Sequence, residues 1–180
     1  QHGNTDVLQR MRRTYTREQY LDLIARARSI VPGIAFSTDL ITGFCGETDE
    51  DFEGSERFLA EQGFLVNYVF KYDPRPRTKA DERLEDDIPD AVKKERNQRL
   101  LRAAERAQRA RFARYRGRTV DVLVESASER DARIALGRTL YGLPVSFEVK
   151  DGSVDALLGT EQRVAIAETT AYGMAGARVD

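Results

Sequence analysis

Along this chain the apolar residues keep a helical period, then a run of strands, then a helical period again, and finally strict alternation. Tyr20, Leu23, Ile24 and Ala27 recur at i, i+3, i+4 and i+7, which predicts a helix resting one stripe on a sheet. Thr16 followed by Gln19 is a capping box that opens this helix, and Pro32-Gly33 stops it after about Ser29. Ile34, Phe36, Leu40, Ile41 and Phe44 make a short apolar run, read as a buried strand over 34–44. Gly43 and Gly46 form the turn that follows, where main chain can come close to a ligand. Thr48 with Asp51 opens a second helix over 49–62, with Phe52, Ser55, Phe58 and Leu59 facing inward. Gly63 ends it, and 64–72 alternates as a further strand. Two such units in succession predict a parallel sheet with right-handed crossovers. The glycine turn is expected to leave backbone N–H groups free at the carboxyl end of its strand, the edge where parallel α/β folds hold ligands.

The flanks are simpler. Residues 1–12 read as a strand end passing into a short helix with Val7, Leu8 and Met11. Residues 73–90 hold three prolines and a cluster of acids and read as a loop. Pro89 suits the first turn of a helix running to about Tyr115. One stripe of that helix is small and apolar (Leu100, Ala103, Ala104, Ala107, Ala110), and another carries Arg99, Arg102, Arg106 and Arg109. Gly117 ends it. Beyond it Val120, Val122 and Val124 alternate with Asp121 and Leu123, and short strands follow at 133–140, 144–149, 162–168 and 173–179. Turns at Tyr141-Gly142, Asp151-Gly152 and Tyr172-Gly173 separate them. Five short strands predict a small β-barrel closed on itself.

Charge sharpens this picture. The total of −1 hides eleven Lys or Arg against two Glu between Lys93 and Arg118, a net of +9 that leaves −10 elsewhere. A basic helix leading into a small barrel suits a polyanion, since guanidinium groups pair bidentately with phosphate and such barrels present loops to unpaired RNA. Tyr115, Tyr141 and Phe147 are candidates to stack on bases, or to serve as core. One cysteine and one histidine form no internal disulfide and hold no metal cluster by themselves, and a lone thiol fits a reducing, cytoplasmic setting. No run approaches the ~20 apolar residues of a membrane span. The chain opens Gln-His-Gly-Asn rather than on methionine, which is expected of a piece of a longer protein or a processed one.

Four segments carry a resemblance. STDLITGFCGETDEDF, from Ser37 to Phe52, resembles the STD-I-I-V-G-F-P-G-E-T-E-x-D-F segment of the methylthiotransferases, a family of radical S-adenosylmethionine enzymes, with Cys45 in place of proline. Gln1-His-Gly-Asn4 resembles the end of the family's P-x-Q-S/H-G-S/N segment. The stretch from Met11 to Tyr20 resembles M-x-R-x-Y-T-R-E-x-Y. That from Lys71 to Ala80 resembles Y-S-P-R-P-G-T-x-A, with Arg77 replacing glycine. Order and spacing are the family's, and the likeness runs to the C-terminus, where residues resemble the RNA-binding TRAM domain.

The resemblance implies an α/β chain: the C-terminal part of a radical SAM partial TIM barrel over 1–115, with a trailing basic helix, followed by a small all-β TRAM barrel over 116–180. It implies that 73–90 crosses the barrel mouth. Thr38, Asp39, Ile41, Gly43, Gly46 and Glu47 are expected beside S-adenosylmethionine, with Gln1, Asn4 and Arg13 facing the same site. Asp39 and Glu47 are read as cofactor-binding or structural rather than as an acid–base pair. Arg75 either faces cofactor or substrate or pairs with the acids at 81–87. Arg99, Arg102, Arg106 and Arg109 are the RNA-binding candidates. Cys45 is read as a small apolar substitute in the turn, and His2 as structural and without partners. No catalytic residue and no metal ligand is assigned in this chain. The family's two 4Fe–4S clusters are expected on cysteines of an N-terminal portion that would be its partner, and the implied substrate is a tRNA anticodon stem-loop. The implied reaction adds a methylthio group to isopentenyladenosine beside the anticodon. Threonylcarbamoyladenosine or a ribosomal protein as substrate, and a non-catalytic RNA-binding remnant, are the alternatives.

Overall fold

Thr16 and Gln19 close a reciprocal capping box, as do Thr48 and Asp51, so two helices begin where local chemistry dictates. In the computed structural model, which describes residues 1–179, the first third of the chain runs α1 (Thr5–Arg10), α2 (Arg17–Ile30), β1 (Ser37–Thr42) and α3 (Asp49–Gln62). It continues with β2 (Val66–Lys71), α4 (Lys79–Arg83) and α5 (Asp90–Ala113). Gly63 ends α3 in the left-handed conformation, at φ 58° and ψ 44°. The contacts divide the chain into two units, 1–107 and 108–180, with the division inside α5.

In the first unit β1 and β2 pair in parallel, Asp39 opposite Tyr68 and Ile41 opposite Phe70. Leu40 and Val69 face one side, where Ile24 of α2, Phe52, Phe58 and Leu59 of α3, and Leu100 and Ala104 of α5 complete the core. Gln1 lies along the other edge of β1, its carbonyl accepting the Ile41 N–H at 2.9 Å. A smaller apolar group, Val7, Phe44 and Cys45 with Met11, Tyr72, Ala80 and Leu84, plugs the carboxyl end of the sheet. The opposite sheet face is open: Tyr68 and Phe70 are 53% and 52% exposed.

The second unit contains β3 (Thr119–Ala127), β4 (Ile134–Arg138), β5 (Pro144–Glu148), β6 (Glu161–Thr169) and β7 (Met174–Arg178), with a 3₁₀ turn at Val154–Leu157. They close in the order β3-β4-β5-β7-β6. All pairs are antiparallel except β5 with β7. Every strand edge is thereby used, which spares a small sheet the exposed ladder that invites association. Gly137 and Gly176 sit where strands cross most closely: a Cβ would stand 2.2 Å from the Leu123 carbonyl oxygen and 2.1 Å from that of Ala165.

Four expectations need correction. The strand over 34–44 is shorter, because Ile34 and Phe36 precede it and Phe44 belongs to the turn. The loop 73–90 contains α4, capped by the Thr78 hydroxyl accepting the Asp81 N–H. Leu23 is 60% exposed, since α2 turns Tyr20, Leu21 and Ile24 to the core instead, and Ala110 of α5 is exposed too. Phe147 is 2% exposed and fills the barrel interior, so it does not stack on a base.

Candidate functional site

Strand alternation sorts the expected residues by face. Thr38, Leu40 and Thr42 turn toward the helices and are buried, while Ser37, Asp39 and Ile41 turn to the open face. There Asp39 is exposed and Ile41 half-buried, beside Tyr68 and Phe70 of β2. Gln1 and Tyr15 join this face, where the Tyr15 hydroxyl donates to Gln1 Oε1. Burial raises the Tyr15 pKa against the opposing effect of the Arg13 charge. Gln1, Tyr15, Tyr20, Ser37 and Asp39 border a cavity of about 210 Å³. At the carboxyl end of the strands a second cavity of about 300 Å³ has Met11, Ile41, Phe44 and Tyr72 as its floor, with Arg12 and Arg13 on its wall. Burial, and then a hydrogen bond with the Cys45 thiol, push the Tyr72 phenol up to about 12, so it stays protonated and closes the floor as a neutral group.

The glycine turn is built differently from the expectation of free amides. Gly43 N–H donates to Glu47 Oε2 at 2.7 Å, Gly46 N–H to Asp87 Oδ1 at 2.7 Å, and Glu47 N–H to the Phe44 carbonyl at 2.9 Å. These three donors, both glycine amides among them, are therefore used inside the protein. Gly43, at φ 72°, is glycine for a local reason: a Cβ would stand 2.4 Å from Cγ of Lys93, a buried side chain that ion-pairs with Asp86. Gly46 also has φ 72°, and Arg10 donates to its carbonyl at 3.1 Å.

Glu47 is 2% exposed and holds the turn together. Its Oε1 faces His2 Nε2 at 2.8 Å, and its Oε2 accepts from Arg96 Nη1 at 2.7 Å besides the Gly43 amide. Arg96 reaches Asp49 at 2.7 Å with its other Nη. Burial lowers the Arg96 pKa, but the hydrogen bonds and charges of Asp49 and Glu47 outweigh it and raise the value. His2, expected without partners, is thus a buried tie, because the fold brings it to Glu47 and Ser55.

The remaining candidates separate. Asn4 caps α1, its side chain accepting from Asp6 N and Val7 N. Arg75 is exposed and forms no ion pair with the acids at 81–87 among the described residues; its carbonyl accepts from Thr78. Arg99 pairs with Glu56 at 2.6 Å and lies over the Phe52 ring, whereas Arg102, Arg106 and Arg109 are exposed. Sequence reasoning missed Tyr68 and Phe70, whose alternation with Asn67 and Val69 was the available signal, and missed Arg96, which sits one turn from Lys93 on α5. Among the described residues no three His, Cys, Asp or Glu side chains could hold a metal ion.

Comparison with known proteins bears on this site. A profile of the radical SAM superfamily matches residues 1–59, which include β1 and the glycine turn. The tRNA-2-methylthio-N(6)-dimethylallyladenosine synthase of Oceanobacillus iheyensis is 36% identical over the whole of this chain and 34% of its own length. The proteins of that name from Chlorobium chlorochromatii and Bdellovibrio bacteriovorus are 42% and 46% identical over 82% of the chain, and 33% and 32% of their lengths. Over 82–100% of its length the chain is similar to one segment of the tRNA methylthiotransferases. It spans about a third of the length of the curated relatives it matches.

Likeness to the radical SAM superfamily and to the methylthiotransferases implies S-adenosylmethionine and 4Fe–4S clusters in general terms. The open face fits the first: an exposed carboxylate at Asp39 suits a cationic group, and Ile41 with two exposed aromatic rings suits a nucleobase. The described side chains do not fit a cluster, and the single cysteine is buried in the turn.

Proposed function

We propose that this chain is the C-terminal portion of a tRNA methylthiotransferase that adds a methylthio group to isopentenyladenosine beside the anticodon. In this reading 1–115 completes a radical SAM partial TIM barrel, and 116–180 is a TRAM barrel that binds RNA. The enzyme's N-terminal portion supplies the cysteines of two 4Fe–4S clusters, and the work is done in the cytoplasm on a tRNA anticodon stem-loop. The observation that carries the reading is likeness along the whole chain to enzymes named for that product. No described helix is long and apolar enough to cross a membrane.

Asp39 and Ile41 hold S-adenosylmethionine on the open face of β1, with Gln1 and Arg13 beside it. Thr38, Gly43, Gly46 and Glu47 shape the strand and turn behind it. Arg75, exposed in the loop after β2, faces substrate. When bound, the cofactor supplies a sulfonium that is cleaved reductively. Arg102, Arg106 and Arg109 of α5 meet phosphates, with Arg99 between that stripe and Glu56.

Two measurements test the reading. Nucleosides from tRNA of a strain lacking the gene, complemented with the complete enzyme, should show 2-methylthio-isopentenyladenosine restored. Methylthiolation confined to threonylcarbamoyladenosine would replace the substrate assignment. In the same enzyme Asp39→Ala should weaken S-adenosylmethionine binding about tenfold, the scale of one hydrogen bond to a charged group. Unchanged binding removes the open face of β1 from the site.

A further inference from the structure

The buried carboxylate of Glu47 joins the N-terminal segment, the glycine turn and α5. Asn4 N–H donates to His2 Nδ1 at 3.1 Å, so that nitrogen is an acceptor and the ring proton sits on Nε2. Nε2–H then donates to Glu47 Oε1 at 2.8 Å, with Ser55 Oγ 3.3 Å away. Ser55 Oγ in turn accepts the Gly3 N–H at 3.0 Å, which holds the segment carrying His2. On the other oxygen, Gly43 N–H and Arg96 Nη1 both donate at 2.7 Å. Arg96 Nη1 also reaches the Glu47 carbonyl at 3.0 Å. The side chains of His2 and Glu47 are fully buried and that of Arg96 is 7% exposed. Carboxylate orientation is thus set from both sides, and through it the amide that follows β1.

We propose that His2 and Arg96 are positioning residues for the cofactor turn: acting through Glu47, they fix the Gly43 amide and hence the path of main chain from Ile41 to Glu47. This rests on the reading that S-adenosylmethionine lies against β1. Neither residue touches that ligand. Their effect is geometric, because a carboxylate with a missing donor rotates or draws in water, and Gly43 N–H loses its acceptor. Glutamine at position 2 preserves the tie, since its amide nitrogen reaches the place of His Nε2 and donates. Phenylalanine fills the same volume without a donor. Glutamine at position 47 breaks the tie, since its NH₂ faces either Nε2–H of His2 or the Gly43 and Arg96 donors.

The test has two parts. In the ¹⁵N-labelled 180-residue chain, the Gly43 amide should be downfield and protected from exchange. His2→Gln should keep both properties, and His2→Phe, Glu47→Gln and Arg96→Met should each lose about tenfold or more of the protection. In the complete enzyme, equilibrium dialysis should show S-adenosylmethionine Kd raised about tenfold by His2→Phe and by Arg96→Met, and held within about twofold by His2→Gln. A purely structural role predicts that His2→Gln and His2→Phe behave alike, which overturns the proposal. Gly43 protection unchanged in His2→Phe overturns it as well. Asp39→Ala separates the two layers. If it weakens binding while His2→Phe does not, the positioning role fails alone; if neither does, the site reading fails and takes the proposal with it.

Discussion

Gly43 and Gly46 share a backbone angle, φ 72°, and differ in what surrounds them. At Gly46 the nearest atom to an added Cβ is Arg10 Nε at 3.7 Å, ordinary contact, so Gly46→Ala should cost only the left-handed strain of about 1–2 kcal/mol. At Gly43 the added atom meets Lys93 Cγ at 2.4 Å, and that side chain is pinned by Asp86. Gly43→Ala should therefore cost about 1–3 kcal/mol beyond the strain. Urea titration of Gly43→Ala, Lys93→Ala and the double variant closes a cycle, and the double should recover the steric part. Additive effects would show that Lys93 is not what keeps position 43 glycine. A glycine at such a turn suggests close approach of a ligand; here the close approach is by a lysine of α5.

Among the elements, α5 carries two kinds of basic residue. Lys93 and Arg96 are buried and paired in the first unit, and Arg99 is held by Glu56 and the Phe52 ring. Arg102 and Arg106 are exposed farther along the same helix. Filter binding of an anticodon stem-loop over a salt series should therefore separate them. Arg102→Ala with Arg106→Ala should flatten the log–log slope by about 1.5, at about 0.7–0.9 per phosphate contact. Arg99→Ala should leave the slope near the parent value and lower stability instead. Equal slopes for the double variant and the parent would mark the helix face as merely solvated. Discrimination among tRNAs should change little in either, because phosphate contacts position and do not specify.

For the whole molecule, two units with separate cores predict two unfolding transitions by calorimetry. Gly176→Ala places a Cβ 2.1 Å from the Ala165 carbonyl oxygen and should destabilise the barrel by about 3 kcal/mol, lowering its transition by about 10 °C or more. The transition of 1–107 should not move. A single transition displaced as a whole would show that the units unfold together.

Sequence by itself determined what depends on neighbours within about one helical turn or on period. The two capping boxes, the inward set Phe52, Ser55, Phe58 and Leu59, the end of α3 at Gly63, and the five barrel strands all follow from local hydrogen bonding and alternation. Family likeness added the glycine turn as a place of interest. Tertiary structure decided the rest. His2 and Arg96 meet Glu47 across 45 and 49 residues, and no periodicity encodes such a contact. The same holds for Asp87 taking the Gly46 amide and Glu56 taking Arg99. A buried charge must find its partners wherever packing brings them, because an unpaired one costs several kcal/mol. Which face of β1 stays open, and which arginines stay exposed, were therefore settled only when α2, α3 and α5 closed over Leu40.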